Sequence, residues 1–303
     1  MAAAAYFSFV VEEDSSGTSA SSLAASPRPP MPATITEPAP PAPARPVPDV
    51  SLRGVDAFHV DLRRPPRAGL VFDVRTGEVL WRRRPLARVP MASLTKLMTA
   101  LLVVDRTRPN EPVRITRAAL RYSGQGIGLL RRGKRVRLET LLNGMLLVSG
   151  NDAAIALAVH VSGSERRFVR EMNRRAHAWG LDCTRFASSH GLEDGNRSCP
   201  RDLAVLTRLA MSKRRIRRIV RRREVDFRFP VKGGRIFLTG HNPLQRIRYP
   251  GTIGLKTGYT SAAGRCFVGV ARRGGRILGV VLLGSRDPSM QAPKLLDAAF
   301  ATS

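Results

Sequence analysis

The hydrophobic period of this chain changes twice, and the order of those changes constrains the fold more than any single residue does. Residues 68–81, AGLVFDVRTGEVLW, alternate as two short strands around an Arg75-Thr76-Gly77 turn. Residues 91–105 then place Leu94, Leu97, Met98, Leu101 and Leu102 at i, i+3, i+4, i+7 and i+8, which is one helical stripe. Helical spacing continues through 138–148, 152–162, 165–180 and 200–212. After 225 the pattern returns to strands: RIFLTG, GRCFVGVARR and GRILGVVLLG are short, apolar and punctuated by glycine. Gly274-Gly275 predicts a hairpin turn, and a last helix is expected over about 290–300. Strands at both ends with helices between them predict an α+β domain whose terminal strands share one sheet.

The first fifty residues do not fit this pattern. Residues 27–48 hold ten prolines, a composition that favours extended chain and cannot build a core. The expected division is an unfolded Pro/Ala/Ser-rich segment over 1–54 and a folded domain over 55–303. The apolar start, MAAAAYFSFVV, has no basic stretch before it and runs into Glu12-Glu13-Asp14, so it makes a poor export signal. No run of about 18 apolar residues occurs, so no spanning helix is expected.

Lysine and arginine number 51 against 23 acids, a formal charge of +28. Two arginines and five acids lie in the first fifty residues, so the excess falls on the folded part. Such a surface attracts polyanions, among them acidic wall polymers and nucleic acid. With 6% aromatic residues and no interleaved basic and aromatic stripe, specific nucleic-acid binding is not expected. Cys266 lies in an apolar run and is expected to be a buried thiol. Cys183 and Cys199 flank a turn-rich loop and could bridge in an oxidising compartment. Neither the cysteines nor the five histidines have metal-ligand spacing, and no cofactor is expected.

Three short motifs carry chemistry. Ser93 and Lys96 sit one turn apart at a helix start, where free N–H groups suit a developing oxyanion. Apolar neighbours would desolvate Lys96, and a neutral amine can take the proton of a serine. Ser149-Gly150-Asn151 links two apolar helices, either as a plain polar turn or as a hydroxyl and an amide facing a substrate. Lys256-Thr257-Gly258-Tyr259 offers a cation, a hydroxyl and a position without a side chain on a late strand, whose edge could pair with a peptide. The Walker phosphate-loop pattern fails because Leu255 takes the glycine place. GQGIG at 124–128 follows no strand, which speaks against a dinucleotide site.

Taken together and in this order, the motifs resemble those of the low-molecular-mass penicillin-binding D-alanyl-D-alanine carboxypeptidases. VPMASLTKLMTALLVVD, GIGLLRRG, LLNGMLLVSGNDAAIALA and TIGLKTGYTSAAGRCFVGVA extend the resemblance over roughly residues 65–300. It implies a penicillin-binding, β-lactamase-like fold, an antiparallel sheet flanked by helices with an inserted mainly helical subdomain. It implies Ser93 as nucleophile, Lys96 as its base and Ser149 as proton relay. Asn151, Lys256, Thr257, Gly258 and Tyr259 would bind substrate, with the backbone N–H groups of Ser93 and Tyr259 as oxyanion hole. The implied substrate is a peptidoglycan stem peptide, the implied inhibitors are β-lactams, and the implied location is extracytoplasmic.

Other readings remain at this stage. A DD-endopeptidase or a β-lactamase would share the fold, although Glu193 does not sit in the pattern a deacylating glutamate needs. A basic protein that holds wall polymer with little catalysis is an alternative of another class. The chain also departs from many family members. Many members carry a further β-rich domain and an amphipathic C-terminal anchor, neither of which is expected here, and Gln291, between Arg286 and Lys294, stands near the place of a basic residue that helps hold the substrate carboxylate.

Overall fold

The computed structural model describes residues 47–230 and 234–302. The first strands are β1 (Ala68–Asp73), β2 (Val79–Arg83) and the two-residue β3 (Val89–Pro90), followed by a 3-10 turn over Ala92–Thr95. The helical part contains α1 (Lys96–Arg106), β4 (Pro112–Arg114), α2 (Arg117–Leu120), β5 (Arg135–Arg137), α3 (Leu138–Leu147), α4 (Asn151–Ser162) and α5 (Glu165–Ala178). It continues with β6 (Arg197–Ser198), α6 (Pro200–Ser212) and α7 (Arg214–Val220). The chain then forms β7 (Glu224–Arg228), β8 (Arg235–Thr239), α8 (Pro243–Arg246), β9 (Thr252–Thr260), β10 (Gly264–Arg273), β11 (Arg276–Ser285) and α9 (Pro288–Ala301).

The main sheet is antiparallel, in the order β2-β1-β11-β10-β9, so both ends of the domain meet in it as the period pattern predicts. The helical section from α1 to α7 is inserted between β2 and β9. β10 and β11 are joined by Gly274 and Gly275, both at positive φ, as a two-residue hairpin turn demands. Both faces of the sheet are covered, which is why β11 reads as a continuous apolar run instead of alternating. Leu70, Val268 and Val281 face the inserted helices, while Val71, Phe267 and Val280 pack under α8 and α9. The ring of Phe72 fills the space a side chain at Gly279 would need, with a Cβ there only 2.4 Å from it. α5 shows how little apolar surface a helix needs here: only Phe168, Met172 and Ala176 are buried, at i, i+4 and i+8, and Ser164 caps it by accepting from the Arg167 amide.

Three expectations are corrected. The boundary at 54 lies too late, because Val50 is buried, Ser51 bridges Glu78, and the Leu52 carbonyl accepts from Arg82. Composition placed these residues with the proline-rich stretch, but their partners are far away in sequence. The rest of that segment, 1–46, lies outside the described residues, as does the apolar start. α7 was not anticipated, since its period rests on Ile216, Ile219 and Val220 among arginines. The last helix begins at Pro288, ahead of the expected start near 290. Cys183 and Cys199 are disulfide-bonded, with Cα atoms 5.6 Å apart, and Cys266 is a buried free thiol. No described helix is long and apolar enough to cross a membrane.

Candidate active site

The turn that carries Ser93 is held in an uncommon backbone. Ala92, just before Ser93, has φ +48°, a conformation that costs a non-glycine residue energy and persists only where its surroundings impose it. Here Thr95 Oγ1 donates to the Ala92 carbonyl at 2.9 Å, and Gly191 packs close to the same carbonyl and to Thr95 Oγ1. A Cβ at Gly191 would come within 2.1 Å of Ala92 O, so the 188–192 loop reaches the turn only because this residue is glycine.

Lys96 opens α1 and is completely buried. Its Nζ lies 2.9 Å from Ser93 Oγ, 2.7 Å from Asn151 Oδ1 and 2.6 Å from the His190 carbonyl. Burial, and then the nearby Lys256 ammonium, hold its pKa well below the ordinary lysine value. A neutral amine has two N–H bonds and one lone pair. The Asn151 and His190 oxygens can take the two N–H groups, and the lone pair then faces the Ser93 hydroxyl.

Ser149 sits at the joint between α3 and α4 with φ +65°, another strained residue at the site. Its Oγ accepts from Lys256 Nζ at 2.9 Å, and Lys256 also donates to the Thr257 carbonyl at 2.8 Å. Burial lowers the Lys256 pKa to about 7. Asn151 Nδ2 donates to the Ser123 carbonyl at 2.8 Å, and the Asn151 amide donates to the Gln125 carbonyl. One side-chain N–H of Asn151 is left for another partner.

β9 is the last strand of the sheet order, so one of its edges pairs with no strand among the described residues. Lys256 and Gly258 point toward the inserted helices, and a Cβ at Gly258 would lie 2.8 Å from the Ser93 nitrogen. Thr257 and Tyr259 point the other way. Between β9 and the helical section runs a groove of about 1110 Å³ that Ser93, Ser149, Asn151, Thr257, Gly258 and Tyr259 all line. The structure thus gathers every residue singled out in the three motifs around one groove, with Lys96 and Lys256 directly beneath it.

Some groove residues were not legible in the sequence. Gly124 and Gln125, set aside with the GQGIG glycines, form one wall. That loop is held by Asp152, whose carboxylate accepts from the amides of Ile127 and Gly128 at 2.9–3.1 Å. His241, Arg246 and Arg265 also line the groove. A residue three positions from Ser149 that accepts two loop amides is a signal the sequence contains, but only the three-dimensional pairing gives it meaning. One group of possible metal ligands converges among the described residues, Cys183, Cys199 and Asp202, and its two sulfurs are joined to each other.

Comparison with known proteins identifies the family. The D-alanyl-D-alanine carboxypeptidase family matches residues 65–287. The chain is 35% identical over 246 residues to the D-alanyl-D-alanine carboxypeptidase DacB2 of Mycobacterium tuberculosis, covering 78% of this chain and 83% of that one. It is 31% identical over 250 residues to the D-alanyl-D-alanine carboxypeptidase DacF of Bacillus subtilis, covering 80% of this chain and 64% of that relative's length. A crystal structure of a D-alanyl-D-alanine carboxypeptidase from Mycobacterium tuberculosis superposes with a TM-score of 0.74 at 32% identity, over 87% of this chain and 96% of the other. The antiparallel sheet flanked by helices is the fold of these enzymes, and the chain belongs to the D-alanyl-D-alanine carboxypeptidase family.

Proposed function

We propose that this protein is a serine-type D-alanyl-D-alanine carboxypeptidase that removes the terminal D-alanine from peptidoglycan stem peptides. The observation that carries this reading is the buried Lys96 amine 2.9 Å from Ser93 Oγ, with two fixed oxygens to take its N–H groups. Lys96 takes the hydroxyl proton as Ser93 Oγ attacks the carbonyl of the penultimate D-alanine. The oxyanion develops against the backbone N–H groups of Ser93 and Tyr259, where each fixed donor is worth about 10²–10³ in rate. Ser149, hydrogen-bonded to Lys256, passes a proton to the departing D-alanine nitrogen. Water then releases the acyl group from Ser93, with Lys96 again accepting the proton. Thr257 receives the terminal carboxylate, and Asn151 offers its remaining N–H to the substrate amide.

A β-lactam acylates the same oxygen and leaves slowly. The experiment is incubation with a labelled penicillin followed by intact mass and peptide mapping, beside assay of D-alanine release from a diacetyl-Lys-D-Ala-D-Ala peptide. One penicilloyl group on Ser93, slow to leave, and D-alanine release that vanishes in Ser93→Ala support the reading. Folded protein that takes no adduct and releases no D-alanine refutes it, and rapid penicillin turnover moves it to β-lactamase.

The site of action on this reading is outside the cytoplasmic membrane. The Cys183–Cys199 bridge supports it, because such bonds persist in oxidising compartments. The arginine excess supports electrostatic contact with anionic wall polymers. On α7 and at its C-terminal cap, Arg214, Arg217, Arg218 and Arg221 are exposed, while Ile216, Ile219 and Val220 are buried. Retention on isolated walls at low salt and release at high salt is the expected result.

A further inference from the structure

A peptide that ends in a carboxylate needs a positive charge at the far end of the groove. The sequence left its source open among Gln291, Arg286 and Lys294. The structure removes all three. Gln291 is buried and engaged at both ends, Oε1 accepting from Ser285 Oγ at 2.7 Å and Nε2 donating to the Arg64 carbonyl at 2.6 Å. Arg286 and Lys294 line a separate cavity of about 580 Å³ on the other side of the α9 start, where Lys294 donates to the Asp61 carbonyl. Lys256 is 1% exposed, its Nζ is committed to Ser149 and Thr257, and its pKa of about 7 makes its charge intermittent at neutral pH.

Two arginines line the groove, Arg265 on β10 and Arg246 on α8. The strand register separates them. Thr257 pairs with Phe267 and Tyr259 with Arg265, in an unbroken stretch of the β9–β10 ladder. Thr257, Tyr259 and Arg265 therefore share one face of the sheet, and Arg265 is the diagonal neighbour of Thr257. Diagonal Cβ atoms lie about 7–8 Å apart, within reach of long side chains. The guanidinium is also pre-positioned, since its Nη1 donates to the Arg286 carbonyl. Asp287, at the cap of α9, feels its charge, but no carboxylate comes within salt-bridge distance of Arg265 among the described residues. Arg246 lies on α8, which packs over this same face, and both arginines are exposed, but the Arg246 side chain has no described hydrogen bond to hold it beside Thr257 and no place on the ladder.

We propose that Arg265 supplies the permanent positive charge that receives the substrate's C-terminal carboxylate beside the Thr257 hydroxyl, in the role the sequence left to the region of Gln291. An arginine stays protonated and can offer two parallel N–H donors to a carboxylate. Lys256 is then free to serve the proton path through Ser149. The inference rests on the carboxypeptidase reading for the identity of the ligand, but it concerns only how that ligand's end is held.

The test compares diacetyl-Lys-D-Ala-D-Ala with its C-terminal amide, as substrates for the intact enzyme and as ligands for the Ser93→Ala protein. In the Arg265→Gln variant KM for the acid should rise roughly ten- to a hundredfold, the worth of a charged hydrogen bond, with a smaller change in kcat. The preference for acid over amide should collapse in both the kinetic and the binding measurement. Arg265→Lys should recover part of it, and Arg246→Gln should leave it intact. Equal melting temperatures of the variants separate this from a structural effect. An acid preference unchanged in Arg265→Gln, or lost in Arg246→Gln instead, overturns the proposal. If the wild type hydrolyses neither peptide but the Ser93→Ala protein still prefers the acid through Arg265, the function fails and this assignment stands.

Discussion

A side chain at Gly258 would place its first carbon 2.8 Å from the backbone nitrogen of Ser93. The third motif therefore touches the first, and the space between the strand and the Ser93 turn is one that only glycine leaves open. Gly258→Ala should push β9 away from the turn and disturb both proposed oxyanion donors. Penicillin acylation is expected to slow about 10²–10³-fold, the cost of one misplaced donor. The melting temperature should change little, because the residue is at the groove wall. Stopped-flow acylation beside a thermal melt checks this, and acylation at the wild-type rate would show the contact to be slack.

Asn151 accepts from Lys96 and donates to Ser123, so it ties the Lys96 amine to the 124–128 wall of the groove. Asn151→Ala would leave one N–H of the Lys96 amine without its acceptor inside the protein. Removing a buried partner costs about 1–3 kcal/mol, so acylation should fall roughly ten- to a hundredfold. A fall confined to peptide hydrolysis, with penicillin acylation untouched, would assign Asn151 to the substrate alone.

The fold was legible because the hydrophobic period reports layers directly. The stripe from Leu94 to Leu102 and the runs in β10 and β11 each bury the faces their period dictates. Ser93 and Lys96 were legible because one helical turn fixes their spacing, whatever surrounds them. The Lys96–His190 carbonyl contact was not legible, since it joins residues far apart in sequence through a backbone oxygen that carries no side-chain signature. Arg265 was hidden among the many other arginines, and only its strand partner Tyr259 distinguishes it. The 47–54 segment was misjudged because local composition says nothing about the distant residues, Glu78 and Arg82, that pair with it.

Lys256 has a folded pKa of about 7 against an ordinary value of 10.5, lowered by burial. Between those values the unfolded chain holds a proton the folded chain lacks, so this group makes stability rise with pH across that window. Below about pH 7 both states are protonated and the full cost of burying the charge remains. At about 1.4 kcal/mol per pKa unit, Lys256→Met should stabilise the fold by a few kcal/mol at pH 6 and by much less at pH 10. Peptide hydrolysis should be lost at both. Denaturant titrations at the two pH values decide it, and an equal effect at both would show that Lys256 is not desolvated.

Hydrolysis by the wild type should also have an acid limb. Lys96 must be neutral to accept the Ser93 proton, and its burial beside Lys256 lets it lose its proton far below the usual lysine range. Acylation should therefore fall tenfold per pH unit once the pH drops below the Lys96 pKa. Lys96→Arg, which stays charged throughout, should remove the activity at every pH. An acylation rate in Lys96→Arg that still titrates with pH would move the base to another residue.

The disulfide closes the loop that carries the His190 carbonyl. Cys183 and Cys199 lie 16 residues apart, and between them the chain supplies His190 to Lys96, Gly191 to the Ala92 turn and Asp194 to the groove. Closing a loop of this length restricts the unfolded chain by about 3 kcal/mol in the chain-entropy account. The double variant Cys183→Ser, Cys199→Ser should therefore melt lower, and so should reduced wild type. The effect should reach the chemistry as well. A loosened loop no longer holds the oxygen that orients the Lys96 amine, so penicillin acylation should slow at temperatures well below the melt. Cys266 is buried and cannot substitute for either partner. If reduction lowers the melting temperature but leaves acylation at its original rate, the bond serves stability alone and the loop is held at the site by its hydrogen bonds.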